Sequence, residues 1–221
     1  MESLQRAVQL GEELARRDPN EYSSRERIFS AEVISANILR DSDPRRALEM
    51  CHHALERLAE IKDSPSARLH EVEALAASAY PLQRLGRDAE ARRNLDLAFQ
   101  ALRENKLYPA QRIKVGSEAG SALRALAQYE EVSGDILRAS GLYKQLLDTL
   151  IAANPKPESS LSEAVALSNL YRSAAPVHRR ARNPELASDL ESRRLQLWQR
   201  WQQKLPDNAF VHLQLAAAAP R

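Results

Sequence analysis

The segment Leu85-Gly86-Arg87-Asp88-Ala89-Glu90-Ala91 decides the fold, because it returns in outline as Ser133-Gly134-Asp135-Ile136-Leu137-Arg138-Ala139. Both segments follow a long stretch with helical apolar spacing, and in both an alanine stands five positions after the turn glycine. Glycine ends helices because it adopts left-handed backbone angles, and an aspartate close behind it can cap a new helix. Each segment therefore predicts a tight turn between two helices, with Asp88 or Asp135 as the cap.

Two weaker copies of this pattern extend the repeat to both sides. Asp41-Ser42-Asp43-Pro44-Arg45-Arg46-Ala47 and Ala181-Arg182-Asn183-Pro184-Glu185-Leu186-Ala187 keep the alanine and lose the glycine. The four anchor alanines are Ala47, Ala91, Ala139 and Ala187, with spacings of 44, 48 and 48 residues. Three anchors are followed by apolar residues four and seven positions later, whereas the last is followed by Glu191 and Arg194. Such periodicity is typical of stacked helix pairs that share one core, with an atypical copy at the end.

Helix punctuation marks further starts. Asp43-Pro44, Ser64-Pro65 and Asn183-Pro184 each combine an N-capping side chain with a proline suited to the first helical turn. Ser23 with Glu26, and Ser160 with Glu163, have the spacing of a capping box. The resulting prediction is helices near 2–17, 24–41, 44–62, 65–85, 88–105, 110–133, 136–152, 160–181, 184–203 and 208–218.

Composition points to an all-α fold. The 221 residues include 35 Ala and 32 Leu against 8 Val, 7 Ile and one Thr, so the residues that favour sheets are nearly missing. The length allows one elongated domain or two small ones. We predict a single helical-repeat domain over residues 1–221. Its parts are a remnant helix of a preceding repeat at 2–20, helix pairs at 22–62, 64–105, 109–152 and 159–203, and a capping helix at 208–218.

The order helix, turn glycine, then a second helix opening Gly-x4-Ala resembles the tetratricopeptide repeat over about residues 24 to 203. These copies are longer than the usual repeat of about 34 residues. The resemblance implies a right-handed superhelical stack of antiparallel helix pairs, in which the first helix of each pair lines a concave groove. Aligned on the anchors, the groove positions that we single out are Arg40, Tyr80, Gln83, Arg84, Arg124, Gln128, Arg172, Arg179 and Arg180.

This surface predicts a non-catalytic module that binds a protein or peptide partner. Guanidinium groups pair bidentately with carboxylates, so the groove suits an acidic peptide or a C-terminal carboxylate. The carboxylate clamp of chaperone-binding relatives needs Lys and Asn where this chain has Glu32, Ala36 and Ala77, and that activity is not carried over. The competing interpretation is that these arginines are ordinary solvated surface.

The C-terminal stretch supports a second prediction. Residues 195–208, with Trp198 and Trp201, then Phe210 and residues 215–218, resemble the end of the repeat region of bacterial serine/threonine protein kinases. The kinase motifs themselves are missing from the chain. The alternative function is therefore the C-terminal regulatory or sensory region of a larger kinase. More simply, the two tryptophans seal the last repeat against the helix at 208–218.

The remaining sequence favours no chemistry. The five histidines form no His-Glu-x-x-His pair, Cys51 lies on an apolar helix face, and no phosphate-binding loop occurs, so we expect no catalytic, cofactor or metal site. A net charge of +2 argues against nucleic acid as the partner. No window has the ~18 apolar residues of a membrane span. We expect a cytoplasmic protein, or an extracytoplasmic one if it belongs to a membrane-anchored kinase.

Overall fold

The computed structural model describes residues 2–17, 22–61 and 66–219, and in these ranges it contains helices and no strand. The all-α prediction is confirmed. The helices are α1 (Glu2–Arg17), α2 (Tyr22–Leu39), α3 (Pro44–Glu60), α4 (Ala67–Arg84), α5 (Asp88–Glu104), α6 (Glu118–Ser133), α7 (Ile136–Ala152), α8 (Leu161–Arg180), α9 (Pro184–Lys204) and α10 (Ala209–Ala218).

The helices pack in adjacent pairs. Extensive contacts join α2 to α3, α4 to α5, α6 to α7 and α8 to α9, and α3 packs on α4 to a similar extent. Helix α4 also contacts both α2 and α6, so the first helices of the first three pairs are neighbours. Helix α1 packs on α2 at one end and α10 packs on α9 at the other.

The anchor alanines explain how the pairs fit together. All four have an exposed fraction of 0%, which lets the helices that carry them approach closely. Four residues later, Cys51, Leu95 and Tyr143 are also fully buried, each in the space beside its anchor. In the last copy the same position is the exposed Glu191, as the sequence predicts for the end of a stack.

The N-terminal caps of the helices agree with the predictions at some positions and differ at others. The side chains of Asp43, Asp135, Ser160 and Asn183 each accept a hydrogen bond from the backbone N–H three residues later, as predicted. Asp88 is wrong as a cap, because α5 begins at Asp88 itself and the preceding residue is Arg87. Ser23 lies one residue inside α2, which already includes Tyr22. The predicted cap at Ser64-Pro65 and the end of the 2–20 segment lie outside the described residues.

The predicted start of helix 110–133 is eight residues too early. Residues 105–117 form an irregular loop, and α6 begins only at Glu118. Within the loop Ile113 is 2% exposed, and its N–H donates to the Thr149 carbonyl oxygen of α7 at 3.1 Å. Gly116 follows with a positive φ of 76°. Because Ile113 obtains burial and a hydrogen bond from α7, the loop is held without being helical.

The C-terminal end is closed by aromatic packing. Trp198 and Trp201 are buried with Val211 of α10, and the Phe210 ring meets Trp198 edge-on with 6.0 Å between centroids. The Trp198 Nε1–H donates to the Ser168 hydroxyl at 2.7 Å. The predicted contact between these tryptophans and the last helix is confirmed.

Candidate functional site

A small polar cavity lies where α2, α4 and α6 meet. Its volume is about 50 Å³, and four of the nine predicted groove residues line it: Arg40, Tyr80, Arg124 and Gln128. Helix spacing explains this meeting. Arg124 and Gln128 stand four apart on α6 and share a face, while Arg40 directly follows α2 and Tyr80 belongs to the last turns of α4.

Arg40 is held in place by three neighbours. Its Nη1 donates to the Gln128 Oε1 at 3.2 Å, its guanidinium carbon lies 4.9 Å from the centroid of the Tyr80 ring, and its Nε is 3.8 Å from Asp41. The Tyr80 hydroxyl in turn donates to Asp41 at 2.7 Å. Burial, and then this bond to Asp41, raises the pKa of Tyr80, so the phenol stays protonated. One wall of the cavity is therefore ordered before any partner arrives.

Arg124 differs from Arg40 in having no counter-charge. Among the described residues, no carboxylate lies within 4.0 Å of its guanidinium. Burial lowers the pKa of Arg124, and the like charge of Arg40 lowers it further. Arginine keeps its proton under these conditions. The cavity thus contains an unneutralised positive charge, which is the arrangement that attracts an anion.

The other five predicted groove residues lie elsewhere or are already engaged. Gln83 is 7% exposed and donates to the Tyr129 carbonyl oxygen and the Ser133 hydroxyl, so its role is to join α4 to α6. Arg84 and Arg172 are exposed. Ion pairs at 2.8 Å and 2.9 Å join Arg179 to Glu191 and Arg180 to Glu131, respectively. Four of the nine predicted residues line this cavity, and these five do not.

Sequence reasoning missed three polar residues in the cavity wall, Asn37, Glu73 and Ser121. Two of them had a readable signal: Asn37 lies three residues before Arg40, and Ser121 lies three before Arg124, so each shares a helix face with a predicted residue. Glu73 is engaged with His70, whose Nδ1 is 3.8 Å from the carboxylate. That Glu73 lies in the cavity wall could be known only from how α4 packs in the structure.

Two observations bear on metal binding and on the single cysteine. No group of three His, Cys, Asp or Glu side chains there converges on a common point. Burial, with a smaller contribution from Glu32, raises the pKa of Cys51 to about 12, which keeps it an unreactive thiol at neutral pH. None of the helices in the described ranges has the length and apolar character needed to cross a bilayer.

Comparison with known proteins supports the fold and goes no further. No protein-family model matches the chain, and no curated protein matches it. Among solved structures the chain is similar to BtubC (BKLC) from P. vanneervenii, with a TM-score of 0.60 and 20% sequence identity over 98% of this chain and 80% of BtubC. An identity this low shows a shared helical fold alone.

Proposed function

We propose that this chain is a non-catalytic interaction module that binds an acidic protein or peptide segment along the surface formed by α2, α4 and α6. In this proposal the helix pairs form a right-handed, tetratricopeptide-like stack, and the first helices face the partner. The support is the neighbour relation of α2, α4 and α6, together with the four predicted residues that meet between them.

The observation that carries the proposal is the unpaired guanidinium of Arg124 beside Arg40. An exposed arginine with a carboxylate neighbour is ordinary surface, and this describes Arg179 and Arg180. Arg124 is not of that kind, since its charge is partly withdrawn from water without a partner. A partner's carboxylate would supply a charge-assisted hydrogen bond worth about 1.5–3 kcal/mol.

The test is selection of peptides from a random display library on the immobilised chain, followed by affinity measurement with synthetic peptides. We expect enrichment of acidic residues. The double variant Arg40→Gln, Arg124→Gln should bind the selected peptides about tenfold or more weakly, because losing one such hydrogen bond lowers the affinity by at least that factor. The matched control is Arg93→Gln, an exposed arginine on α5 that lines neither side of the cavity.

Two outcomes contradict the proposal. One is a selection that enriches no acidic peptide. The other is a set of peptides that bind the double variant as tightly as they bind the Arg93→Gln control. Reversing charge at Arg179 and Arg180 alone should change affinity little, because Glu191 and Glu131 already neutralise them.

The kinase-associated role stays a prediction, since no described contact favours it. Sequencing the gene upstream of Met1 tests it directly: an open reading frame with the Gly-rich loop and the His-Arg-Asp and Asp-Phe-Gly motifs would establish it. The same result would bear on the cellular compartment, which we propose to be the cytoplasm unless a membrane-anchored kinase precedes the chain.

A further inference from the structure

A second cavity adjoins the polar one on the far side of Arg124. It has a volume of about 90 Å³ and is partly open to solvent, and its apolar wall is formed by four leucines of α7 and α8 with Ala166 of α8 and Val115 of the loop before α6. Ser121 and Arg124 belong to the walls of both cavities. A polar space and an apolar space therefore meet at one arginine.

We infer that these two cavities form a single binding site for a small aliphatic carboxylic acid, with the carboxylate against Arg124 and the hydrocarbon chain in the apolar cavity. This site shares Arg124 with the proposed protein-binding surface, so the two ligands would compete for it, but the small-acid assay below and the peptide selection can fail separately. The ligand class follows from the charge of the shared wall and from the size of the two spaces.

The charge argument begins with what already surrounds Arg124. The charge of Arg40 repels that of Arg124, and the side-chain Oε1 of Gln128 already accepts a hydrogen bond from Arg40. Glu73 is the one acidic residue in either lining, and it faces His70 at 3.8 Å. Arg40 already has Asp41 at 3.8 Å, so the cations of the two linings without a described carboxylate partner are Arg124 and Lys114. An anion is the ligand that balances this set, and a carboxylate matches the fork of a guanidinium.

The size argument limits the hydrocarbon part. A 150 Å³ apolar cavity holds benzene, so about 90 Å³ suits a branched chain of roughly four or five carbons. The polar cavity of about 50 Å³ has room for a carboxylate group with one or two water molecules, because each water needs about 10–15 Å³. The chain of a long fatty acid would extend out of this cavity into solvent.

The residues that bound the apolar cavity add little cost to ligand entry. Leu146, Leu150, Leu167 and Leu170 present only hydrocarbon, so an aliphatic chain leaves no polar group unpaired. Gly116 lies on the same lining with open space around it, whereas Gly120 packs closely against Ile113 of the loop. Apolar surface that is removed from water there favours binding at about 25 cal/mol per Å².

The experiment uses the whole purified chain and 4-methylpentanoate as the probe, followed by titration calorimetry at fixed pH and ionic strength. We expect saturable binding with one site per chain. Acetate, which lacks the branched chain, and 4-methylpentanamide, which lacks the charge, should each bind at least about tenfold more weakly.

Two variants separate the two halves of the site. Arg124→Met keeps an unbranched apolar stem in place of the arginine stem and removes its charge, and Ala166→Leu fills the apolar cavity from α8. Each variant should weaken the binding of 4-methylpentanoate by about tenfold or more, whereas Arg93→Met on α5 should change that affinity by no more than about twofold. Circular dichroism and thermal unfolding without ligand identify any variant that fails to fold. In that case Arg124→Gln and Ser121→Leu replace the two.

The result that overturns the inference is equal binding of the acid and its amide, unchanged binding to folded Arg124→Met, or no saturable heat. N-acetyl-leucine forms a further arm, because the C-terminal residue of a polypeptide carries the same groups. If N-acetyl-leucine binds more than about tenfold tighter than 4-methylpentanoate, the site binds the C-terminus of a polypeptide, and the inference of a small free carboxylic acid as the ligand is wrong. Failure of peptide selection, in contrast, leaves this inference intact.

Discussion

Replacement of Trp198 by alanine tests whether the aromatic seal stabilises the C-terminal end of the stack. The Trp198 side chain is 0% exposed, contacts Trp201 and Val211 within one cluster, and meets Phe210 edge-on. Its indole N–H bonds to Ser168. The substitution removes all these contacts and detaches α10 from the surface that it covers.

The expected loss can be worked out from these contacts. Removing a buried Trp side chain costs about 3–5 kcal/mol, including the cavity left behind. Loss of the hydrogen bond adds little, because the Ser168 hydroxyl keeps the Arg194 Nε at 3.3 Å and is not left unpartnered. We therefore expect a loss of about 4 kcal/mol, equivalent to roughly 8–16 °C in Tm for a chain of this size if it unfolds as one unit.

The assay combines thermal unfolding by circular dichroism with fluorescence of Trp201, which is the sole tryptophan left in the variant. If the C-terminal end unfolds before the rest of the stack, the fluorescence transition will precede the dichroism transition. Leu213→Ala on α10 is the matched control. Leu213 is 69% exposed, so its removal should change stability by no more than about 0.5 kcal/mol. A Trp198→Ala shift no larger than that of this control would refute the reasoning.

Three further predictions concern single turns and one buried base. Gly134 ends α6 with a φ of 92°, so Gly134→Ala should destabilise the chain by about 1–2 kcal/mol. Gly141 lies within a helix and has open space around it, so Gly141→Ala should stabilise the chain by about 0.5–1 kcal/mol. Urea unfolding measures both changes in stability. Asp135→Ala should cost about 1 kcal/mol because it removes a cap, while Asp88→Ala should cost about 0.3–0.5 kcal/mol, the value of a charge in the first turn alone. Burial lowers the pKa of His178, and the positive charge of Lys144 lowers it further. Stability should therefore fall as the pH drops below 6.5, the usual pKa of histidine, and His178→Gln should make that fall smaller.

The outcomes that contradict these predictions are specific. Equal effects of the two glycine substitutions would mean that the left-handed turn carries no strain. An Asp88 variant as unstable as the Asp135 variant would restore the original cap assignment. For His178, whose Nδ1 is 2.7 Å from the Ser140 hydroxyl, identical pH profiles of the variant and the parent protein would show that the histidine is not held neutral.

The helices were predictable because their signals are local. Capping residues, prolines in first turns and the 3.6-residue apolar period act within one or two turns, and they placed α3, α7 and α9 to within two residues at either end. The loop at residues 105–117 shows the limit of such signals. Its apolar spacing reads as helix, but Ile113 is buried against α7, a helix more than twenty residues further along the chain.

The candidate site was only partly predictable, because its chemistry depends on which charges meet. The repeat alignment assigned Arg124, Arg179 and Arg180 the same role. The structure separates them, since Arg179 and Arg180 find Glu191 and Glu131, while no described carboxylate reaches Arg124. The apolar cavity beside Arg124 had no sequence signal, since its lining comes from α6, α7, α8 and the loop before α6.

The amino-acid sequence by itself determined the helical class, the pairing of the helices and the buried anchor alanines, because these follow from short-range propensity and from a periodic pattern of side-chain size. Only the tertiary structure decided that Arg124, in the wall of a cavity, meets no carboxylate of the described residues, and what space lies beside it. Charge pairing and cavity shape depend on distances between residues that are far apart in the chain, and those distances exist only once the helix pairs have packed.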